Sequence, residues 1–264
     1  VHDMKFVNHE IRIGQYFFGD IVNEGVLLHD SRRFQLAKPK ALNPEERLSL
    51  AERNFTNWFD SASEFWRGSR YYASRSLLKH AAFLLHQAAE RYYHAATLVF
   101  TGYKHRTHDI EVLGRLSGEA HAGLVDALPK GEPEDRRLFD LLKKAYVDAR
   151  YSMTYRITLE ELRVLQERVL LLGGRVRAAC LEKMATFCGA EAVSRDLPVP
   201  PQVEEPLLSS LPAPPIDPAG FGAWAEGLVE LAEQRVREER DQGLREGRLE
   251  GVRESRAADI LMVL

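Results

Sequence analysis

The chain has 264 residues, 45% of them hydrophobic and 28% charged, with a formal net charge of −3. That length suits one or two domains with a real core, and the slight acidity excludes a global attraction to nucleic acid, so such binding needs a local basic patch. Two cysteines, Cys180 and Cys188, exclude a disulfide framework and fit reduced thiols in a cytoplasm, and no run of about eighteen apolar residues is present to span a membrane.

The opening VHDMKFVNHE lacks the basic-then-apolar order of a signal peptide. It also lacks an initiator Met, which leads to the expectation that the chain is a fragment of something longer. Gly14, Gly19 and Gly25 punctuate short runs, Gln15-Tyr-Phe-Phe18 and Gly25-Val-Leu-Leu-His29, of strand length. These predict a short α/β piece over residues 1–40, too small to bury a core alone and so leaning on its neighbour.

A helical domain is expected over residues 43–190. Asn43 can cap, Pro44 suits the first helical position and Glu46 the third, so a helix is predicted over 44–68 with Phe55, Trp58, Phe59, Phe65 and Trp66 in a core or interface. A second helix, 75–101, carries Leu77, Leu84, Ala88, Tyr92, Ala95 and Val99 mostly at three-to-four spacing and exits at Gly102. Thr107 or Asp109 caps a third, 108–121, and a polar loop with Pro129 and Pro133 leads to a fourth, 134–151, burying Leu138, Leu142, Ala145 and Ala149. Thr158-Leu-Glu-Glu161 is a capping box opening a fifth helix, whose Leu162, Leu165, Val169, Leu172, Val176 and Ala179 lie along one face. The fold class is therefore mainly α, an antiparallel bundle of about five helices.

Eight prolines between Leu197 and Pro218 make a linker of 197–218, and residues 221–264 return to a charged, helix-like tail. Gly243, Gly247 and Gly251 are spaced for one helix face, either a close helix crossing or a frayed tail. Arg245, Glu246, Arg248 and Glu250 exclude the apolar setting in which such a row joins membrane helices.

Three constellations carry chemistry. His86, Gln87 and Glu90 stand on a helix otherwise built for a core, where polar groups need partners, so they are polar core partners or the lining of a pocket. His86, Glu90 and His94 follow at four-residue steps, but that row is too long for one ion to reach all three, so no metal is expected. At Thr107-His108-Asp109 the readings are helix capping or an anion contact at the helix start. Arg150-Tyr151 and Tyr155-Arg156 either grip phosphate and stack a base, or pair with Asp148 or Glu160 and cover the bundle end.

The runs HQAAERYY, THDIEVL and AYVDARYSMTYRIT resemble HEPN domains, the family named from higher eukaryotes and prokaryotes nucleotide-binding, over residues 44–187. Residues 1–31 are similar to the end of the nucleotidyltransferase domain that precedes HEPN in fused bacterial proteins. The resemblance implies a nucleotide or RNA partner, a phosphate site drawn from Arg150, Tyr151, Tyr155, Arg156, His108 and Asp109, a homodimer through the bundle, and a possible nucleotidyltransferase domain partner. No cofactor is implied here; Mg would belong to an intact transferase domain upstream. The transferase Gly-Ser loop and Asp-x-Asp pair are missing, since Gly68-Ser69 falls near a helix end. HEPN ribonucleases pair an Arg with a His five to seven positions later in the late helix. Arg150 matches the Arg, but Tyr155 and Arg156 follow it, and Arg75 with His80 lies at the wrong helix. With no catalytic residue assigned, the expectation is a non-catalytic binding module in the cytoplasm. The alternatives are a toxin-type endoribonuclease or part of a nucleotidyltransferase/HEPN toxin–antitoxin system, and an oligomerisation scaffold.

Overall fold

A computed structural model describes residues 3–28 and 34–201. Seven α-helices occur among them, and no strand. The glycine-stepped tail and most of the proline-rich linker lie outside the described residues.

The first two helices replace the predicted strands. α1 spans Met4–Arg12, opened by Asp3, whose carboxylate accepts from the amides of Lys5 and Phe6. Gly14 ends it in a left-handed conformation with φ +81°, and the Gln15 amide reaches back to the Glu10 carbonyl at 3.0 Å. That is a Schellman closure, so the glycine read as a strand boundary is a helix cap. α2 spans Tyr16–Glu24, and Phe18 meets Phe6 edge to face at 5.6 Å. The aromatic run has strand propensity, but burying Ile11 and Phe18 on one side of a helical hairpin decides the local structure. This hairpin leans on the bundle through Glu10 with Arg53 at 3.7 Å and Tyr16 against Tyr103 at 5.4 Å.

α3 spans Pro44–Ser74 and starts with the Asn43–Glu46 capping box. It runs a turn and a half beyond the expected end at residue 68, because Tyr72 and Ala73 still face the core. α4 spans Leu78–Thr101 and ends at Gly102, left-handed with φ +71°. α5 spans Ile110–Ala120, α6 Pro133–Tyr151 and α7 Leu159–Cys188, the last opened by the Thr158–Glu161 capping box.

α4 is the axis of the bundle, packed by α3, α5, α6 and α7. Every residue from Ala81 to Val99 is buried. Its small residues (Ala81, Ala82, Ala88, Ala89, Ala95, Ala96) let neighbours approach closely, and Gly173 on α7 leaves room for the Tyr92 ring. Trp66 Nε1 donates to the Gln166 carbonyl at 2.8 Å and Gln166 Nε2 to Ser69 Oγ at 2.9 Å, tying α3 to α7. A helix enclosed on all sides must satisfy its polar side chains internally, and that requirement builds the site. No helix of the described residues is long and apolar enough to cross a membrane.

Candidate functional site

Halfway along α4, the Glu90 carboxylate gathers polar groups from its own helix and from the loop between α4 and α5. Gln87 Nε2 donates to Oε2 at 3.1 Å, and His86 Nε2 lies 3.6 Å from the same oxygen. His94 Nε2 lies 3.7 Å from Oε1, and His108 Nδ1 is 3.0 Å from Oε1. Burial favours the neutral acid, but the hydrogens of His108, His86 and His94 together outweigh it and hold the carboxyl far below the usual carboxylate range. Burial pushes His94 the other way, down to about 4 against the opposing pull of Glu90. His94 is therefore neutral at pH 7, its ring edge against Trp58 at 5.1 Å.

His86 has no exposed surface. Its Nδ1 is 3.1 Å from the Leu142 carbonyl and its Nε2 3.1 Å from the His108 carbonyl. Carbonyl oxygens only accept, so the ring nitrogen that carries a hydrogen donates to the carbonyl it faces. His86 thus pins α6 and the α4–α5 loop to α4, placing the backbone of His108.

His108 differs from the other two histidines because its side chain is 41% exposed. With Glu90 ionised, the hydrogen between them sits on His108 Nδ1, and Nε2 is the ring nitrogen not engaged by that carboxylate. The imidazole lies nearly parallel to Tyr146 of α6, 4.5 Å between centroids and 16° between planes. Arg150, one turn further along α6, packs its guanidinium on the same phenol at 4.6 Å, on Phe83 at 4.9 Å and on Tyr151 at 5.0 Å. Arg150 Nε donates to the Tyr146 carbonyl at 2.7 Å. No carboxylate pairs with Arg150 among the described residues, so the expected alternative of an ion pair with Asp148 or Glu160 is not what holds it. Tyr151 is 74% exposed beside it.

The remaining expected site residues point elsewhere. Tyr155 is buried and its hydroxyl donates to the Leu141 carbonyl at 3.1 Å, which corrects its assignment as a base-stacking face. Arg156 is exposed, but its Nη1 donates to the carbonyls of Met153 at 2.5 Å and Tyr155 at 2.9 Å, tying its own loop. Asp109 caps α5, accepting from the Glu111 amide at 2.9 Å, and pairs with Lys143 at 2.9 Å. Its oxygens are therefore committed. Of the two readings for that turn, capping describes Asp109, and the open face belongs to His108. Tyr146 was not singled out from the sequence; its four-residue spacing from Arg150 on a helix is the signal that could have found it. Among the described residues no group of three or more His, Cys, Asp and Glu side chains is arranged to hold a metal ion.

The family model of the HEPN domain matches residues 55–171 of this all-helical bundle, from α3 into α7. No curated protein matches the chain.

Proposed function

We propose that the edge of the bundle where α4, α6 and the α4–α5 loop meet binds the phosphate of a nucleotide or of RNA. The observation that carries this is Arg150: a guanidinium braced on three rings, with no carboxylate partner among the described residues, next to an imidazole with an accessible nitrogen. A cation held this way loses little freedom when it grips an anion, and its planar fork matches phosphate oxygens. Exposed Tyr151 offers a face on which a base can stack. HEPN domains often bind RNA and pair with one another, and a homodimer in a cytoplasm belongs to this reading. The likeness of residues 1–31 to the end of a nucleotidyltransferase domain makes such a domain the partner to look for. Calorimetric titration with ATP, GTP and a short single-stranded RNA tests the proposal: saturable heat with at least one is expected, and no heat with any would remove it.

A second reading is favoured by one observation, the Glu90–His108 pair. A buried carboxylate that fixes an imidazole by Nδ1 and leaves Nε2 open is the arrangement of a general base. It supports the toxin-type endoribonuclease alternative through a histidine outside the late helix. Incubation of the purified protein with tRNA decides between the two: cleavage lost in His108→Ala and in Arg150→Ala supports the enzyme, and intact RNA with wild type supports the binder.

A further inference from the structure

A cavity of about 470 Å³ opens between α5 and the segment 122–130. Its walls include Val112, Leu124, Val125 and Leu128. Tyr93 of α4 also lines it, 2% exposed, and its hydroxyl has no hydrogen-bond partner among the described residues. A phenol that lines a cavity offers its hydrogen bond to what enters it. Burial, with the charge of Asp126 adding, pushes the Tyr93 phenol well above its usual range, so at neutral pH it keeps its proton and offers a donor and an acceptor.

The cavity exists because two side chains are missing. Gly114 and Gly118 stand one turn apart on α5 and leave a strip of bare helix backbone as one wall. A Cβ at Gly114 would come within 3.1 Å of the Tyr93 hydroxyl, and one at Gly118 within 3.3 Å of the Val125 backbone. Glycine inside a helix costs stability relative to alanine, so two of them facing one space need a reason. The charges around the walls are mostly spoken for: Arg115 pairs with Glu119 at 2.7 Å, and Glu111 with Arg136 at 2.7 Å and Lys143 at 2.8 Å.

From these features we infer that the space between α5 and residues 122–130 is a second binding site, for an uncharged, flat heteroaromatic molecule that hydrogen-bonds Tyr93 through an N–H or hydroxyl. The volume suits a ligand of one or two fused rings. The smooth glycine wall favours a flat one. Apolar sides and the paired charges of Glu111, Arg115 and Glu119 favour an uncharged ligand over an ion. This site is separate from the Arg150 edge and stands whether or not phosphate binds there.

Titration of the full chain with indole and with 1-methylindole, followed by calorimetry and by NMR shifts, tests the inference. Indole should bind saturably with shifts centred on α5 and residues 122–130, and 1-methylindole, which lacks the N–H, about tenfold more weakly. Tyr93→Phe should bind the two equally, at the weaker level. Gly114→Ala, which raises helix propensity and so keeps the fold, should lose indole binding about tenfold or more. Absence of saturable indole binding to wild type, or equal affinity in wild type and both variants, would overturn it.

Discussion

His108 and Tyr146 lie face to face, 4.5 Å between centroids, and this stack is what brings a loop histidine beside a helix arginine. Tyr146 carries Arg150 on the same ring at 4.6 Å. Replacing Tyr146 with Ala removes the common support. Affinity for a labelled single-stranded RNA should fall about tenfold, equal to about 1.4 kcal/mol, while Tyr146→Phe keeps the ring and most of the affinity. Fluorescence anisotropy, with circular dichroism to check the fold, measures both.

Glu90→Gln keeps the shape of the side chain and removes its charge. Gln87 Nε2 at 3.1 Å and His108 Nδ1 at 3.0 Å then lose a charged acceptor. A hydrogen bond to a charged group contributes about 1.5–3 kcal/mol, so the urea midpoint should drop by that equivalent. A variant as stable as wild type would show that the carboxylate is not the organising group of α4.

Much of this bundle is legible in the chain because its signals are local. The capping boxes at Asn43–Glu46 and Thr158–Glu161 mark the starts of α3 and α7, and Gly102 marks the end of α4. The α1–α2 hairpin was misread because Gln15-Tyr-Phe-Phe18 has strand propensity and Gly14 suits a strand boundary as well as a helix cap. The site is less legible, since it depends on distances through space. Spacing within one helix groups His86 with Glu90, but nothing in the sequence says that His108 reaches back to that carboxylate across a turn. Nor does spacing separate the two tyrosines of the late segment: Tyr151 is exposed and Tyr155 buried, because the chain leaves the helix between them.

His94 gives the fold a pH dependence of definite sign. Its folded value of about 4 lies below the ordinary 6.5, so the unfolded chain binds the proton more tightly. The stability it contributes is complete above about pH 6.5 and is lost as pH falls toward 4, an effect on the order of 3 kcal/mol. Chemical denaturation at pH 7 and pH 5 should show the loss, and His94→Leu should flatten it by about 2 kcal/mol.

Gly173 is a point of close approach between α7 and α4. A Cβ there would stand 2.8 Å from Cζ of Tyr92, a ring with no exposed surface whose hydroxyl meets Ser63 at 3.2 Å. Gly173→Ala should destabilise the bundle by about 1–3 kcal/mol despite the better helix propensity of alanine. Gly174, which has open space around it, is the control: Gly174→Ala should leave the midpoint unchanged or raise it.

The most direct test of the phosphate site is a double-mutant cycle on RNA affinity at fixed salt, using Arg150→Ala, His108→Ala and the pair. If both side chains grip one phosphate, Arg150→Ala alone should cost about 1.5–3 kcal/mol, and the two losses should fail to add by about 1 kcal/mol. Affinity in the double variant equal to that of wild type would contradict the account.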